Sequence, residues 1–268
     1  MRFAAVALLA LCLAPGAAAA QMYPDIHPIP KTTDPAKLRE TAVGREIQER
    51  FRIGFDAEGR GDWAAARAEF DRIVELHPSE PAGSSAYYDR GLAQFNLNDS
   101  AGAAASFAAA IRLDPDFLAA RTNLVTVDLQ RGDVGGARKA AEELIARAPQ
   151  SARARYVSGL AALKAGDAPA AARDFGALLE RSPGYAVAHY DLALAEVDLG
   201  RLDDAERDLR AALRLAPKYA LARFALGTVL ARTGKRDEAR AAFDEAALAS
   251  HDPALVNLAT SMRDALSH

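Results

Sequence analysis

Residues 152–185 read ARARYVSGLAALKAGDAPAAARDFGALLERSPGY, and residues 186–219 read AVAHYDLALAEVDLGRLDDAERDLRAALRLAPKY. Laid one over the other, they agree where backbone geometry is most demanding. Each has a small residue at its eighth place (Gly159, Ala193), a Gly at its fifteenth (Gly166, Gly200), an Ala at its twentieth (Ala171, Ala205) and a Pro near its end (Pro183, Pro217). Gly tolerates a left-handed backbone at a helix end, and Pro cannot continue a helix. The stretch therefore predicts a helix, a tight turn, a second helix and a Pro-marked turn.

Working outward, the same punctuation covers most of the chain. Pro115, Pro149, Pro183 and Pro217 are spaced by 34 residues, and Pro78 stands 37 before Pro115, an insertion of three near Glu80-Pro81-Ala82. Gly61, Gly132, Gly166, Gly200 and Gly234 hold the turn place between the two helices, and Asn98 holds it in the second unit. Asp62, Asp99, Asp133, Asp167 and Asp203 stand at or near the starts of the second helices, where a carboxylate can cap free N–H groups. One such hairpin cannot bury both apolar faces, so neighbouring hairpins must stack. After Pro253, the spacing of Ala254, Leu255, Leu258, Met262 and Leu266 predicts a last helix covering the open end.

This pattern resembles the tetratricopeptide repeat (TPR) family. The residues carrying the resemblance include Ile53-Gly54, Ala66, Phe70 and Pro78 in the first unit and Gly91, Ala103, Phe107 and Pro115 in the second. Ala137, Leu144 and Pro149 carry it in the third unit, where Val125 replaces the helix Gly. Gly159, Ala171, Phe175 and Pro183 follow in the fourth, Leu192-Ala193, Ala205 and Pro217 in the fifth, and Leu226-Gly227, Ala239 and Phe243 in the sixth. The resemblance implies an all-α, right-handed superhelical solenoid of about six TPR hairpins plus a C-terminal capping helix. The repeats are expected at about 47–80, 84–117, 118–151, 152–185, 186–219 and 220–253, with the capping helix over 254–266. Gly135-Gly136, at the start of a helix, marks the third unit as the softest inner joint.

Two zones precede the repeats. Met1-Arg2 followed by the uncharged apolar stretch Phe3–Leu13, and then by Ala18 and Ala20, reads as a signal peptide over 1–20, cleaved before Gln21. Leu9-Ala10-Leu11-Cys12 loosely resembles a lipoprotein signal, although Leu11 stands where a small residue is wanted. Residues 21–44, with Pro24, Pro28, Pro30 and Pro35, read as a flexible Pro-rich arm able to dock on the rest. The expected location is the periplasm or the exterior, and 27 Arg against six Lys points weakly to a GC-rich genome, consistent with a Gram-negative bacterium.

Composition narrows the function. With 33 basic and 36 acidic residues the formal net charge is -3, and no basic stripe emerges, so no nucleic-acid partner is expected. The apolar leader is too short for a membrane span. Cys12 is the sole Cys, so no internal disulfide or thiolate cage can form. Ala reaches 64 residues, almost a quarter of the chain, as suits close helix crossings. None of the five His has metal-ligand spacing. Arg60-Gly61-Asp62 and Gly59-Arg60-Gly61 are explained by the turn. No catalytic residue, cofactor or metal is expected.

Within the TPR resemblance, the inner groove is lined by the first helix of each hairpin. Its fifth places hold Phe51, Tyr88, Thr122, Tyr156, Tyr190 and Phe224, and its ninth places Phe55, Leu92, Thr126, Leu160, Leu194 and Thr228. Phe95 and Leu163 stand at the twelfth. The candidate partner groove is Phe51, Phe55, Tyr88, Leu92, Phe95, Tyr156, Leu160, Tyr190, Leu194 and Phe224, apolar and Tyr-rich, suited to a protein or peptide partner. Packing of these aromatics inside the stack is the competing reading. Some family members hold a terminal carboxylate with Lys, Asn and Arg. This chain has no Lys at the fifth places, and Asn123 is read as almost alone among polar sixth residues. The leading expectation is a non-catalytic exported scaffold. A lipid-anchored accessory subunit of an envelope complex, and a small-molecule binder or enzyme using His189, are the alternatives. A homodimer remains open, since similar arrays occur singly and in pairs.

Overall fold

A computed structural model describes residues 42–76, 78 and 81–266. The expected signal peptide with Cys12, and residues 21–41 of the expected arm, lie outside the described residues. The chain falls into two compact units whose boundary in sequence is Pro149–Gln150.

The first unit contains α1 (Ala42–Gly59), α2 (Trp63–Glu75), α3 (Ala82–Asn96), α4 (Ser100–Leu113), α5 (Leu118–Arg131) and α6 (Val134–Arg147). Each helix packs on the next. The second unit contains α7 (Ala152–Lys164), α8 (Ala168–Arg181), α9 (Ala186–Asp198), α10 (Leu202–Leu215), α11 (Ala220–Arg232), α12 (Arg236–Ala249) and α13 (Pro253–Ala265). Here too consecutive helices pack, and α9 also touches α7 and α11. The all-α reading, with paired helices and a closing helix, holds. α1 begins at Ala42, within the last residues assigned to the arm.

The turns behave as their residues require. Gly61, Gly132, Gly166, Gly200 and Gly234 have φ between 73° and 80°, and Asn98 has φ 62°. A left-handed residue at the turn reverses the chain within a few residues, which an L residue with a branched side chain resists. Asp62, Asp99, Asp133 and Asp167 then cap α2, α4, α6 and α8, each accepting from the backbone N–H three residues on. Asp203 does not cap. Arg201 holds the N-cap of α10, and Asp203 and Asp204 lie in its first turn, favoured by the helix dipole.

Close crossing within the hairpins follows from side-chain size. A Cβ on Gly54, Gly91, Gly159 or Gly227 would fall 2.6–2.8 Å from a ring carbon of Phe70, Phe107, Phe175 or Phe243 respectively. All four rings are buried. In the corresponding places the fifth hairpin has Ala193 with Leu209, and the third has Val125 with Ala141, all buried. As the first-helix residue grows, its second-helix counterpart shrinks, so the volume at the crossing stays nearly fixed.

The closing helix α13 starts one residue earlier than expected, with Pro253 in its first turn and Asp252 accepting from the Ala254 N–H. Leu255 and Ala259 are its buried residues. Leu258, expected on the packed stripe, is 40% exposed instead.

Candidate functional site

The first helices of the hairpins carry all ten predicted groove residues, but to different depths. In the first unit, Phe51 is half-buried, Phe55 is 38% exposed, Leu92 and Phe95 are half-buried, and Tyr88 is buried. In the second unit, Leu160 is half-buried, whereas Tyr156, Tyr190, Leu194 and Phe224 are buried. The accessible apolar members are Phe51, Phe55, Leu92, Phe95 and Leu160.

The reason is aromatic packing on the second helix. Tyr88 lies 5.7 Å from Phe107, Tyr156 5.9 Å from Phe175 and Phe224 5.3 Å from Phe243, all tilted pairs. The residue entering the next first helix adds a second wall, with Phe117 4.9 Å from Tyr88 and Tyr219 5.1 Å from Tyr190. In the first hairpin, Phe51 and Phe55 stack at 5.7 Å and both contact Phe70.

Polar groups answer some of these rings across hairpins. Asn123 donates from Nδ2 to the Tyr88 hydroxyl at 3.2 Å, and Tyr156 donates its hydroxyl to Asp191 at 3.0 Å. In both cases a tyrosine at the fifth place meets the sixth place of the following first helix. Sequence reading took Asn123 as almost alone there, and this is corrected: Asp89 and Asp191 occupy the same sixth place. The signal was available in the repeat register, where both Asp residues directly follow a fifth-place tyrosine, Tyr88 or Tyr190. Burial raises the Asp191 carboxyl to about 7, and the Tyr156 bond opposes that rise. Burial also raises Glu196 to about 7, with Asp208 and Asp204 adding to the effect.

His189 does not assemble a reactive site. Its Nδ1 lies 2.6 Å from an Asp208 oxygen and its Nε2 3.1 Å from the Pro183 carbonyl oxygen. Both ring nitrogens are thus occupied in tying α9 to α10 and to the preceding turn. Among the described residues, no group of three or more His, Cys, Asp or Glu is arranged to hold a metal ion. No described helix is long and apolar enough to cross a membrane.

Comparison with known proteins bears on this arrangement. The Tetratricopeptide repeat family model matches residues 51–116, 122–186 and 190–253. The chain belongs to the tetratricopeptide repeat family. The matched segments run through all six hairpins of this TPR chain and stop where α13 begins. A TPR protein from Parabacteroides merdae has a similar fold, with 18% identity and a TM-score of 0.72 over 82% of this chain and 87% of that one. YrrB, described as a TPR protein with an unusual peptide-binding site, gives 19% and 0.58 over 72% of this chain and 97% of its own. MamA from Desulfovibrio magneticus gives 18% and 0.58 over 61% and 92%. At these identities the likeness concerns the fold alone. No curated protein matches the chain.

Proposed function

We propose that this TPR chain is a non-catalytic, exported scaffold that captures a peptide or an extended segment of a partner protein on its first-helix faces. The observation that carries the reading is the exposure of Phe55, stacked on Phe51, beside a first-helix face that also leaves Leu92 and Phe95 half-open. Apolar side chains left partly uncovered above a rigid aromatic floor suit the burial of a partner's apolar anchors. The unusual peptide-binding site described for YrrB supports the same use of the fold by analogy. The Phe3–Leu13 stretch and Ala18-x-Ala20 support export and release as a chain starting at Gln21.

The test places a photo-crosslinking amino acid at Phe55 in the native host, and in parallel at Leu248, which is 86% exposed on α12. Specific adducts at 55 that disappear when Leu92 is changed to Asp support the groove. Equal adducts at 55 and 248 refute it. The intact mass of the mature chain decides between release at Gln21 and lipidation at Cys12.

A further inference from the structure

Two carboxyl groups in the first unit each keep one buried oxygen that the described chain leaves without a hydrogen-bond partner. Asp89 belongs to the α3 stripe Ala86, Asp89, Ala93, and both alanines lie in the core that Ile47 and Ala57 of α1 build with Phe70 and Ile73 of α2. Asp89 is 6% exposed, and its Oδ2 is closed to solvent without a hydrogen-bond partner. Glu58 follows Ala57 on α1, and its Oε1 is closed off in the same way. Burial, with the Glu58 charge nearby, holds the Asp89 carboxyl well above the usual range, and burial raises Glu58 to about 7. Glu58 is half-buried as a residue, so the pair keeps an opening to solvent on that side.

Three arginines of α1 and α3 are engaged elsewhere. Arg50 pairs with Glu46 and Glu69, Arg52 with Glu49 and Asp56, and Arg90 with Asp71 and the Ser106 hydroxyl. The repeat register shows what is unusual. At the sixth place Asn123 and Asp191 are each met by a tyrosine from the preceding hairpin, but before Asp89 that tyrosine is Phe51, which has no hydroxyl. Packing alone does not call for an acid there, since Val157 and Ala225 fill the same place and are buried. An uncompensated buried carboxylate is costly, so a complementary charge has a strong reason to bind.

We propose that Asp89 and Glu58, beside the Phe51–Phe55 stack, form a subsite for the guanidinium of an arginine side chain in the captured peptide. The inference rests on the groove reading above and specifies the partner's chemistry. Arginine fits better than lysine because its planar fork offers N–H donors to two carboxylates while its face lies on an aromatic ring.

Fluorescently labelled, blocked heptapeptides of Ala and Leu with a central Arg, Lys or Gln are titrated against the full chain and against the E58Q/D89N double variant. The expected result is a preference for Arg over Gln of about tenfold or more, falling to about twofold or less in the variant. The variant's thermal midpoint should be unchanged or higher, because two carboxyl groups whose ionisation burial opposes have become neutral amides. Should the double variant fail to fold, E58Q alone carries the comparison at the half-buried member. Equal binding of Arg and Gln peptides, or an Arg preference surviving in the variant, overturns the subsite and leaves the groove reading intact. No binding of any peptide in the set overturns both.

Discussion

Gly159 of α7 lies so close beneath Phe175 of α8 that a Cβ on it would come within 2.6 Å of the ring. The two residues are 16 apart in sequence and define how near the helices of that hairpin approach. Gly159→Ala would gain about 1 kcal/mol of helix propensity. It would also force the ring aside at a cost of about 1–3 kcal/mol. We expect a net loss of stability, partly reversed when Phe175→Leu is added, with a coupling of about 1 kcal/mol or more in the double-mutant cycle. Additive effects in urea denaturation would show that the crossing has slack.

The Tyr156 hydroxyl is the hydrogen-bond donor to buried Asp191. Tyr156→Phe should therefore cost about 1–3 kcal/mol, more than an ordinary exposed hydroxyl would. It should also move the Asp191 carboxyl further up from about 7, because the bond that lowers it is gone. Carbon-13 NMR of the Asp191 carboxyl reads the second effect directly, and an unchanged titration would contradict it.

Stability should fall with rising pH. The Asp191 carboxyl is raised from 3.8 to about 7 in the folded chain, so between those values the native state holds a proton that the unfolded chain has released. Its contribution is complete below the unfolded value and is lost as pH rises through the folded one. Glu196 is raised in the same direction for the same reason. Denaturant midpoints at about pH 5 should exceed those at about pH 8, and Asp191→Asn should flatten the difference. A midpoint rising over that range would refute the assignment.

Tyr190 and Phe55 separate core from surface. Tyr190 is 0% exposed and packs on Tyr219, so Tyr190→Ala should cost about 3–5 kcal/mol. Phe55, 38% exposed, should cost much less on replacement by Ala and should lose partner capture instead. Equal destabilisation by both would mean that Phe55 is a packing residue.

The two glycines opening α6 should behave differently. A Cβ on Gly135 meets only Asp133 Oδ1 at 3.8 Å, whereas one on Gly136 would meet Asp133 Oδ2 at 2.6 Å and Asp128 Oδ2 at 3.1 Å. Gly135→Ala should stabilise by about 0.4–1 kcal/mol. Gly136→Ala should not, because it disturbs the Asp133 cap. Hydrogen exchange across 118–151 should be faster than across 152–185 in the unaltered chain, and Gly135→Ala should narrow the gap.

Turn and crossing residues were legible in the sequence because a repeat forces each to serve the same geometry several times. Pro183 and Pro217, Gly166 and Gly200, Ala171 and Ala205 can be read by superposition alone. Depth was less legible. Tyr88 and Phe55 stand at adjacent lining places, yet Phe107 and Phe117 close over the first while the second remains at the open end of its face. Such closure depends on residues from three helices, which no single repeat displays. The buried acids were missed for a related reason. Asp89 and Asp191 look like solvent-facing polar residues until the following helix is placed against the preceding one.

The reciprocal sizes at the hairpin crossing have a consequence for shuffling this chain. A first helix carrying Val125 could not be spliced onto a second helix carrying Phe175, because both would claim the same space. Recombination that cuts at the left-handed turns and joins a helix of the third or fifth hairpin to one from the four Gly–Phe hairpins would therefore produce misfits. Cuts at the Pro-marked turns would exchange matched pairs. The modular currency of the molecule is the whole hairpin, and the shortest inheritable part is about 34 residues, twice the length that either helix alone suggests.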